Sequence, residues 1–444
     1  MKRVHKLSCD CFKSEIDLFS IPATQTAIEK SRWVEYHPIA SLSDGGPIEY
    51  FLSSASSQYL DLTTNELHVK AQITKADGSP IDDGTRVAPI NLFLHSLFSN
   101  LTVSWNEKLV SSASGNYPYR AYIENLLTYG TTAKQSQLTS ALYYKDTAGQ
   151  MDSADPTDAN GNRGLVKRYE FTNGGAIVDL VGRLHASVFL QDRLLINGVD
   201  VKVKLTRAKP EFCLMSSAAN PDFKVKIIEA VWKVRKVQVS SALVLEHARA
   251  LAGNDNVRYP ITRVETKIFS IPRGNHSIDH ENIFLNQIPK RLVIGFVEST
   301  SYHGSFRKNP FNFKHHNLNF LEVSVDGESL PTKALQPKYD PTGGQQFISA
   351  YQTLFTGTGK MYRDEGIDIS RNDYPQGFCL YAVDLTPDLS SGENHFNLIR
   401  QGSVSLKAQF SSALTETTNL VVYAEFQNII EIDQQRNVLY DCSL

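Results

Sequence analysis

Apolar and polar residues alternate in short runs along most of this chain. In Val201-Lys202-Val203-Lys204-Leu205 the odd positions are apolar and the even ones charged, the period of two expected of a strand with one wet face. Residues 223–227 repeat the pattern, with Lys224 and Lys226 on one side. Trp232 and Val234 alternate with Lys233 and Arg235 until the phase flips at Lys236, after which Val237 and Val239 are the apolar positions. One extra residue, a β-bulge, produces such a flip. Residues 292–297 (LVIGFV) are apolar on both faces, as in an inner strand. Residues 419–432 are long and largely apolar, which suits a central closing strand. Helical periodicity is sparse. It predicts helices over residues 119–129 (YRAYIENLLTY is their setting), 346–355 and 241–252, the last with Ser at its start and Gly253 just past its end.

The chain also repeats itself once. Phe19-Ser20-Ile21-Pro22 returns as Phe269-Ser270-Ile271-Pro272, an offset of 250. Leu101-Thr102-Val103-Ser104 resembles Leu321-Glu322-Val323-Ser324 at an offset of 220, and Ala121-Tyr122 resembles Ala350-Tyr351 at 229. Leu195-Ile196 and Leu398-Ile399 each run into a strand, Val201-Lys202-Val203-Lys204 and Val404-Ser405-Leu406-Lys407, at an offset near 203. Four echoes in the same order imply two copies of one domain with loops of different length. A solenoid needs at least three units.

Many strands with few helices point to β-sandwiches. Copies of roughly 200 residues exceed a seven-stranded sandwich of about 100. Eight strands with long loops, a jelly roll, accommodate the surplus. The expected fold is therefore all-β: two tandem eight-stranded jelly rolls with a few short helices. Residues 1–240 form the first with a short N-terminal arm, 241–257 a helical connector, and 258–444 the second with a C-terminal tail. Residues 149–164 (GQMDSADPTDANGNRG) have the composition of an exposed loop tip.

Composition narrows the function. The net charge of −2 over 444 residues argues against tight general nucleic-acid binding, which needs concentrated positive surface. The five cysteines, Cys9, Cys11, Cys213, Cys379 and Cys442, form no CxxC pair, so reduced thiols are expected rather than a disulfide frame or zinc. Residues 1–19 contain no apolar core of a signal peptide. No apolar stretch is long enough to span a bilayer.

Longer blocks carry a resemblance over residues 14–438. In the first copy these are SEIDLFSIPATQTAIEK (14–30), VEYHPI (34–39), DGGPIEY (44–50), NLFLHSLFSN (91–100) and YPYRAYIENLLTYG (117–130). The second adds KNPFNFKHHNLNFL (308–321), FTGTGK (355–360), DLTPDLS (384–390), HFNLIRQG (395–402) and VVYAEFQNIIEID (421–433). The sequence resembles the major capsid proteins of Polinton/Maverick elements, which are similar in fold to adenovirus hexon and other double jelly-roll capsid proteins. The resemblance implies a structural virion protein: a homotrimer forming a pseudo-hexagonal capsomer that tiles an icosahedral shell around double-stranded DNA. It implies further partners: neighbouring capsomers, a single jelly-roll penton protein, and at most weak contact with the packaged DNA. It also implies a chain made in the host cytoplasm, with assembly there or in the nucleus.

Enzymatic alternatives find little support. GxSxG, HExxH, GxxxxGK[ST] and GxGxxG patterns are absent from the chain, so no catalytic, cofactor-binding or metal residues are expected. His276 and His280 are four apart but follow Pro272 and Gly274 in a loop-like region without a third ligand. His315-His316 reads as structural. Asp364, Glu365 and Asp368 form an acidic cluster better read as a solvated loop than a calcium site. Asp158-Ala159-Asn160-Gly161 resembles part of a calcium loop but lacks its flanking ligands, Pro156 and Lys167 standing in their places. Lys224, Lys226, Lys233, Arg235 and Lys236 read as the wet face of a sheet, the alternative being contact with DNA or a neighbouring capsomer. Lys2, Arg3 and Lys6 form a basic N-terminal arm. A tandem sandwich that binds carbohydrate is the other non-enzymatic option, and it requires exposed aromatic platforms.

Overall fold

The computed structural model describes residues 6–8, 11, 13–42, 45–53, 57–342, 344–364, 366–393 and 395–440. Sixteen of its strands form two sets of eight. The first set is β1 (Ile28–Tyr36), β2 (Ile48–Leu52), β3 (Tyr59–Lys75), β4 (Phe98–Trp105), β5 (Lys108–Ser112), β6 (Val178–Gly182), β7 (Val201–Arg207) and β8 (Phe223–Val239). The second is β9 (Val257–Ile271), β10 (Ser277–Gln287), β11 (Arg291–Glu298), β12 (Leu318–Val325), β13 (Glu328–Leu335), β14 (Leu380–Asp384), β15 (Gln401–Phe410) and β16 (Thr418–Ile432).

In the first set the two four-stranded sheets run β1-β8-β3-β6 and β2-β7-β4-β5. In the second they run β9-β16-β11-β14, with a short fifth strand (Val438–Leu439) paired to the end of β16, and β10-β15-β12-β13. The order is identical after adding eight, and every pairing is antiparallel. Two facing four-stranded sheets with this interleaved order are a jelly roll. The chain holds two of them.

The strand predictions map closely. β7 buries Val201, Val203 and Leu205 and turns Lys202 outward. β11 is buried along Leu292 to Val297, with β16 and β14 on its two sides. β16 lies between β9 and β11, as a closing strand should. In β8 the register against β3 breaks between Lys233 and Arg235, beside the phase flip read at Lys236. A second break, between Ile227 and Glu229, carries no comparable signal in the alternation.

Four longer helices decorate the rolls: α1 (Tyr117–Thr128), α2 (Arg163–Thr172), α3 (Ser241–Ala252) and α4 (Ile348–Thr356). α1 and α4 occupy equivalent places after β5 and β13. Directly beyond α4, Gly357 touches β14 so closely that a Cβ would sit 2.5 Å from the Ala382 backbone. α3 lies between the two sets of strands. Its N-cap is Ser240, whose hydroxyl accepts the Leu243 N–H.

Three expectations need correction. The Phe19 and Phe269 tetrapeptides are not equivalent: the first precedes β1, whereas Phe269–Ile271 closes β9 and pairs with β16. That echo arose from similar composition without similar position. His280 lies in β10 rather than a loop, its ring 4.3 Å from Phe269. Residues 149–164 are not an exposed tip as a whole. Gly149, Gln150 and residues 157–160 form the exposed runs, while Met151, Ala154, Pro156, Gly161, Asn162 and Gly164 are buried.

The two hydrophobic cores exchange residues. Tyr259, Ile261, Ile430 and Ile432 of the second roll join the first core. Ala88, Ile90, Tyr119, Tyr122, Ile123, Leu126, Phe212 and Met215 join the second. The inner face of α1 is therefore split, Tyr117 and Ala121 packing into its own roll's core and Tyr119, Tyr122, Ile123, Leu126 and Leu127 into the other. Each roll covers apolar surface the other would otherwise expose to water.

Candidate functional site

The structure concentrates its buried polar groups where the rolls meet. Asn162 caps α2 by accepting the Gly164 and Leu165 N–H groups. This start places Arg168 one and a half turns on, facing inward, with Asp146 fully buried beside it. Arg168 Nη2 donates to Asp146 Oδ1 at 2.6 Å, its Nε to the Pro89 carbonyl at 2.8 Å and its Nη1 to the Tyr144 carbonyl at 2.6 Å. Asn162 donates to the same carboxylate, and Asn309 of the second roll donates to its other oxygen, both at 2.9 Å. Both charges are thus matched by hydrogen bonds, the condition for tolerating a buried ion pair.

Around this pair the loops interlock. Asp152 accepts the Asn309 backbone N–H, the Asn312 amide and the Lys314 ammonium at 2.8–2.9 Å. Tyr122 lies flat on Phe311, ring centroids 4.2 Å apart, and the Tyr119 hydroxyl donates to the Pro310 carbonyl. Lys134 donates to the carbonyls of Leu126 and Ile367, and burial brings its ammonium down to about 7.

A second polar cluster spans the junction. Glu124 of α1 is held by Arg120 at 2.8 Å and by Nδ1 of His185 at 2.6 Å. The Asn125 amide nitrogen, which can only donate, lies 2.9 Å from His185 Nε2, so the ring proton sits on Nδ1 and points at Glu124. Burial raises the Glu124 carboxyl, but Arg120 and His185 together outweigh it and bring the group to about 2. The Tyr423 hydroxyl donates toward Glu124 and toward Glu425, and Glu425 pairs with Arg291 at 3.2 Å. A cavity of about 540 Å³ opens beside the cluster, lined from both rolls by residues including Arg183, Arg193, Lys290 and Phe396. Its charges are mixed and largely paired, the chemistry of a brace.

The sequence-derived candidates scatter. Lys233 pairs with Glu35 at 2.9 Å, Arg235 with Asp61 at 3.1 Å, and Lys236 covers the Tyr36 ring. Lys224 donates to the Ala76 carbonyl. The basic strand is thus a wet face knitted to its acidic neighbours. His315 stacks on Tyr339 at 4.2 Å and accepts the Asn317 N–H, and burial brings it and His316 down to about 4. Asp158 caps a local turn by accepting the Asn160 N–H. Asp368 accepts the Thr131 hydroxyl, whereas Glu365 lies outside the described residues. Cys213 and Cys379 are free and buried, and burial pushes the Cys213 thiol up to about 12. Cys9, Cys442, Lys2 and Arg3 lie outside the described residues. Among the described residues no group of three or more His, Cys, Asp or Glu could hold a metal, and no helix is long and apolar enough to cross a membrane. Sequence reading missed Asp146, Arg168, Asn162 and Asn309, which share no local pattern and meet only through folding.

The outer surface carries a different feature. Every residue from 13 to 27 is exposed, including Leu18, Phe19 and Ile21. The N-terminal arm is therefore longer than the basic stretch read from the sequence, and apolar and acidic toward β1.

No protein-family model matches the chain. It is 28% identical to the uncharacterized protein F54H12.2 of Caenorhabditis elegans, across 95% of this chain and 99% of that one. Among solved structures, a chain of the Sputnik virophage aligns with a TM-score of 0.63 at 12% identity, covering 98% of this chain and 93% of its own. VP54 of PBCV-1 aligns at 0.62 with 10% identity, covering 95% and 99%. The mavirus major capsid protein aligns at 0.57 with 13% identity, covering 100% and 97%. Taken with the doubled strand order, these alignments show that the chain has the double jelly-roll fold found in major capsid proteins of virophages and giant viruses.

Proposed function

We propose that this chain is a major capsid protein of the Polinton/Maverick type, a structural component rather than an enzyme. The observation that carries this reading is the duplication itself, two rolls of identical strand order locked into one body by shared cores and buried polar pairs. Cyclic symmetry closes three copies into a ring. Because each copy contributes two similar rolls, a trimer presents six, and a pseudo-hexagonal block packs edge to edge. A tight intrachain brace suits such a block, since rolls that swung freely would blur the hexagon.

Tiled trimers would form an icosahedral shell around double-stranded DNA, in the capsid of a virion. The fivefold vertices would need a different, single jelly-roll protein. The net charge of −2 and the paired basic strand favour at most weak contact with DNA. The deciding experiment is light scattering and electron microscopy of the full chain at micromolar concentration. Trimers with interfaces of thousands of Å² are expected, as in obligate assemblies. A stable monomer overturns the proposal.

A further inference from the structure

The exposed arm is built to present apolar side chains. Asp17 accepts both the backbone N–H and the hydroxyl of Ser20, folding residues 17–20 into a turn with Leu18 and Phe19 at its tip. Phe19 is 98% exposed, Ile21 87% and Leu18 76%. The turn is flanked by the acidic Glu15 and Asp17. Downstream, the arm is fastened to the body where the Ser240 N–H bonds the Ala27 carbonyl and the Gln25 amide brackets Ile28.

A matching receptor lies at the far end of β8. A groove of about 300 Å³, near the lower limit of volumes that hold a small ligand, is lined by Leu97, Ala208, Pro210, Val225 and Ile227. Arg207 and Lys224 stand at its lining. Apolar tip meets apolar groove, and acidic flank meets basic wall.

The arm cannot fill its own groove. Ile28 pairs with Val239, and Val225 lies fourteen positions back along β8. Even with two register breaks that is about 40 Å of strand. Phe19, nine residues before Ile28, reaches at most about 32 Å when fully extended. We infer that residues 15–21 dock into the Leu97–Ile227 groove of a second copy of this chain, fastening neighbouring subunits. The inference rests on the proposed self-assembling role and adds which surfaces meet.

The test places a photo-crosslinking phenylalanine analogue at position 19 of the full chain and mixes light with isotopically heavy copies. Crosslinks should join heavy to light chains and map to peptides holding residues 207–213 and 223–227. Crosslinks within one copy, or to another region of a second copy, overturn the inference. Light scattering on the same sample separates the two ideas. Assemblies without groove crosslinks overturn the docking and leave the capsid role standing, whereas monomers alone overturn both. Phe19→Asp should weaken self-association on the order of thirtyfold, from the loss of one buried aromatic, and at an exposed position it leaves the fold intact. Glu15→Lys and Lys224→Glu should each weaken association about threefold, and the double variant should recover it. Unchanged association in Phe19→Asp overturns the inference.

Discussion

Asp146 and Arg168 meet 2.6 Å apart with neither side chain reached by solvent. The pair ties the loop before α2 to α2 itself and, through Asn309, to the second roll. Removing one partner leaves the other charge buried and unmatched, which costs about 3–5 kcal/mol. Asp146→Ala should therefore lower the urea unfolding midpoint sharply. Replacing both residues with apolar ones of similar volume should recover much of the loss. If Asp146→Ala unfolds within 1 kcal/mol of the parent, the pair is not the brace described.

The exchanged core residues set a limit on dissection. Tyr122, Ile123 and Leu126 pack into the second core, and Ile430 and Ile432 into the first. Residues 1–240 and 258–444 made separately should each aggregate or bind hydrophobic dyes, and the intact chain should unfold in one cooperative transition. Two resolved calorimetric transitions would count against interlocked cores.

Tyr122 isolates the aromatic part of the junction. Its ring is fully buried and stacked on Phe311. Tyr122→Ala should cost about 3–5 kcal/mol, as large-to-small core changes do. Tyr122→Phe should be nearly neutral, because the hydroxyl has no hydrogen-bond partner. Chemical denaturation of the two variants separates packing from polarity.

Acid should loosen the fold in two stages. His315 and His316 are near 4 in the folded chain against 6.5 unfolded, so the unfolded chain binds more protons between those values. Their contribution is complete above pH 6.5 and is lost as pH falls toward 4. Glu124, near 2 against 4.5, contributes fully above pH 4.5 and is lost as pH falls toward 2. His315→Phe keeps the ring on Tyr339 and should reduce the first stage by about half, while Glu124→Gln should flatten the second. Unfolding midpoints measured from pH 7 to pH 3 check both, and parallel profiles for parent and variants would refute the assignment.

Val103 pairs with Val203, and at offsets of 220 and 203 their counterparts Val323 and Leu406 pair as well. The same echoes are visible in the sequence because strands of one sheet position need the same alternation and length. Where the chain's local pattern is periodic, as in β7, β11 and β16, burial follows from side-chain alternation alone. Fold class, duplication and the three predicted helices were legible for that reason. α2 was not, because Asn160-Gly161-Asn162 and Gly164 give it the composition of a turn. Only the tertiary structure decided that Met151, Ala154, Pro156, Gly161, Asn162 and Gly164 are buried within residues 149–164, that Phe19 and Phe269 are not equivalent, and that Asp146, Arg168 and Asn309 converge. Those facts depend on contacts between residues 22 positions apart, as for Asp146 and Arg168, or 163 apart, as for Asp146 and Asn309, where partner and distance are set by how the elements pack. Local alternation carries no information about that packing.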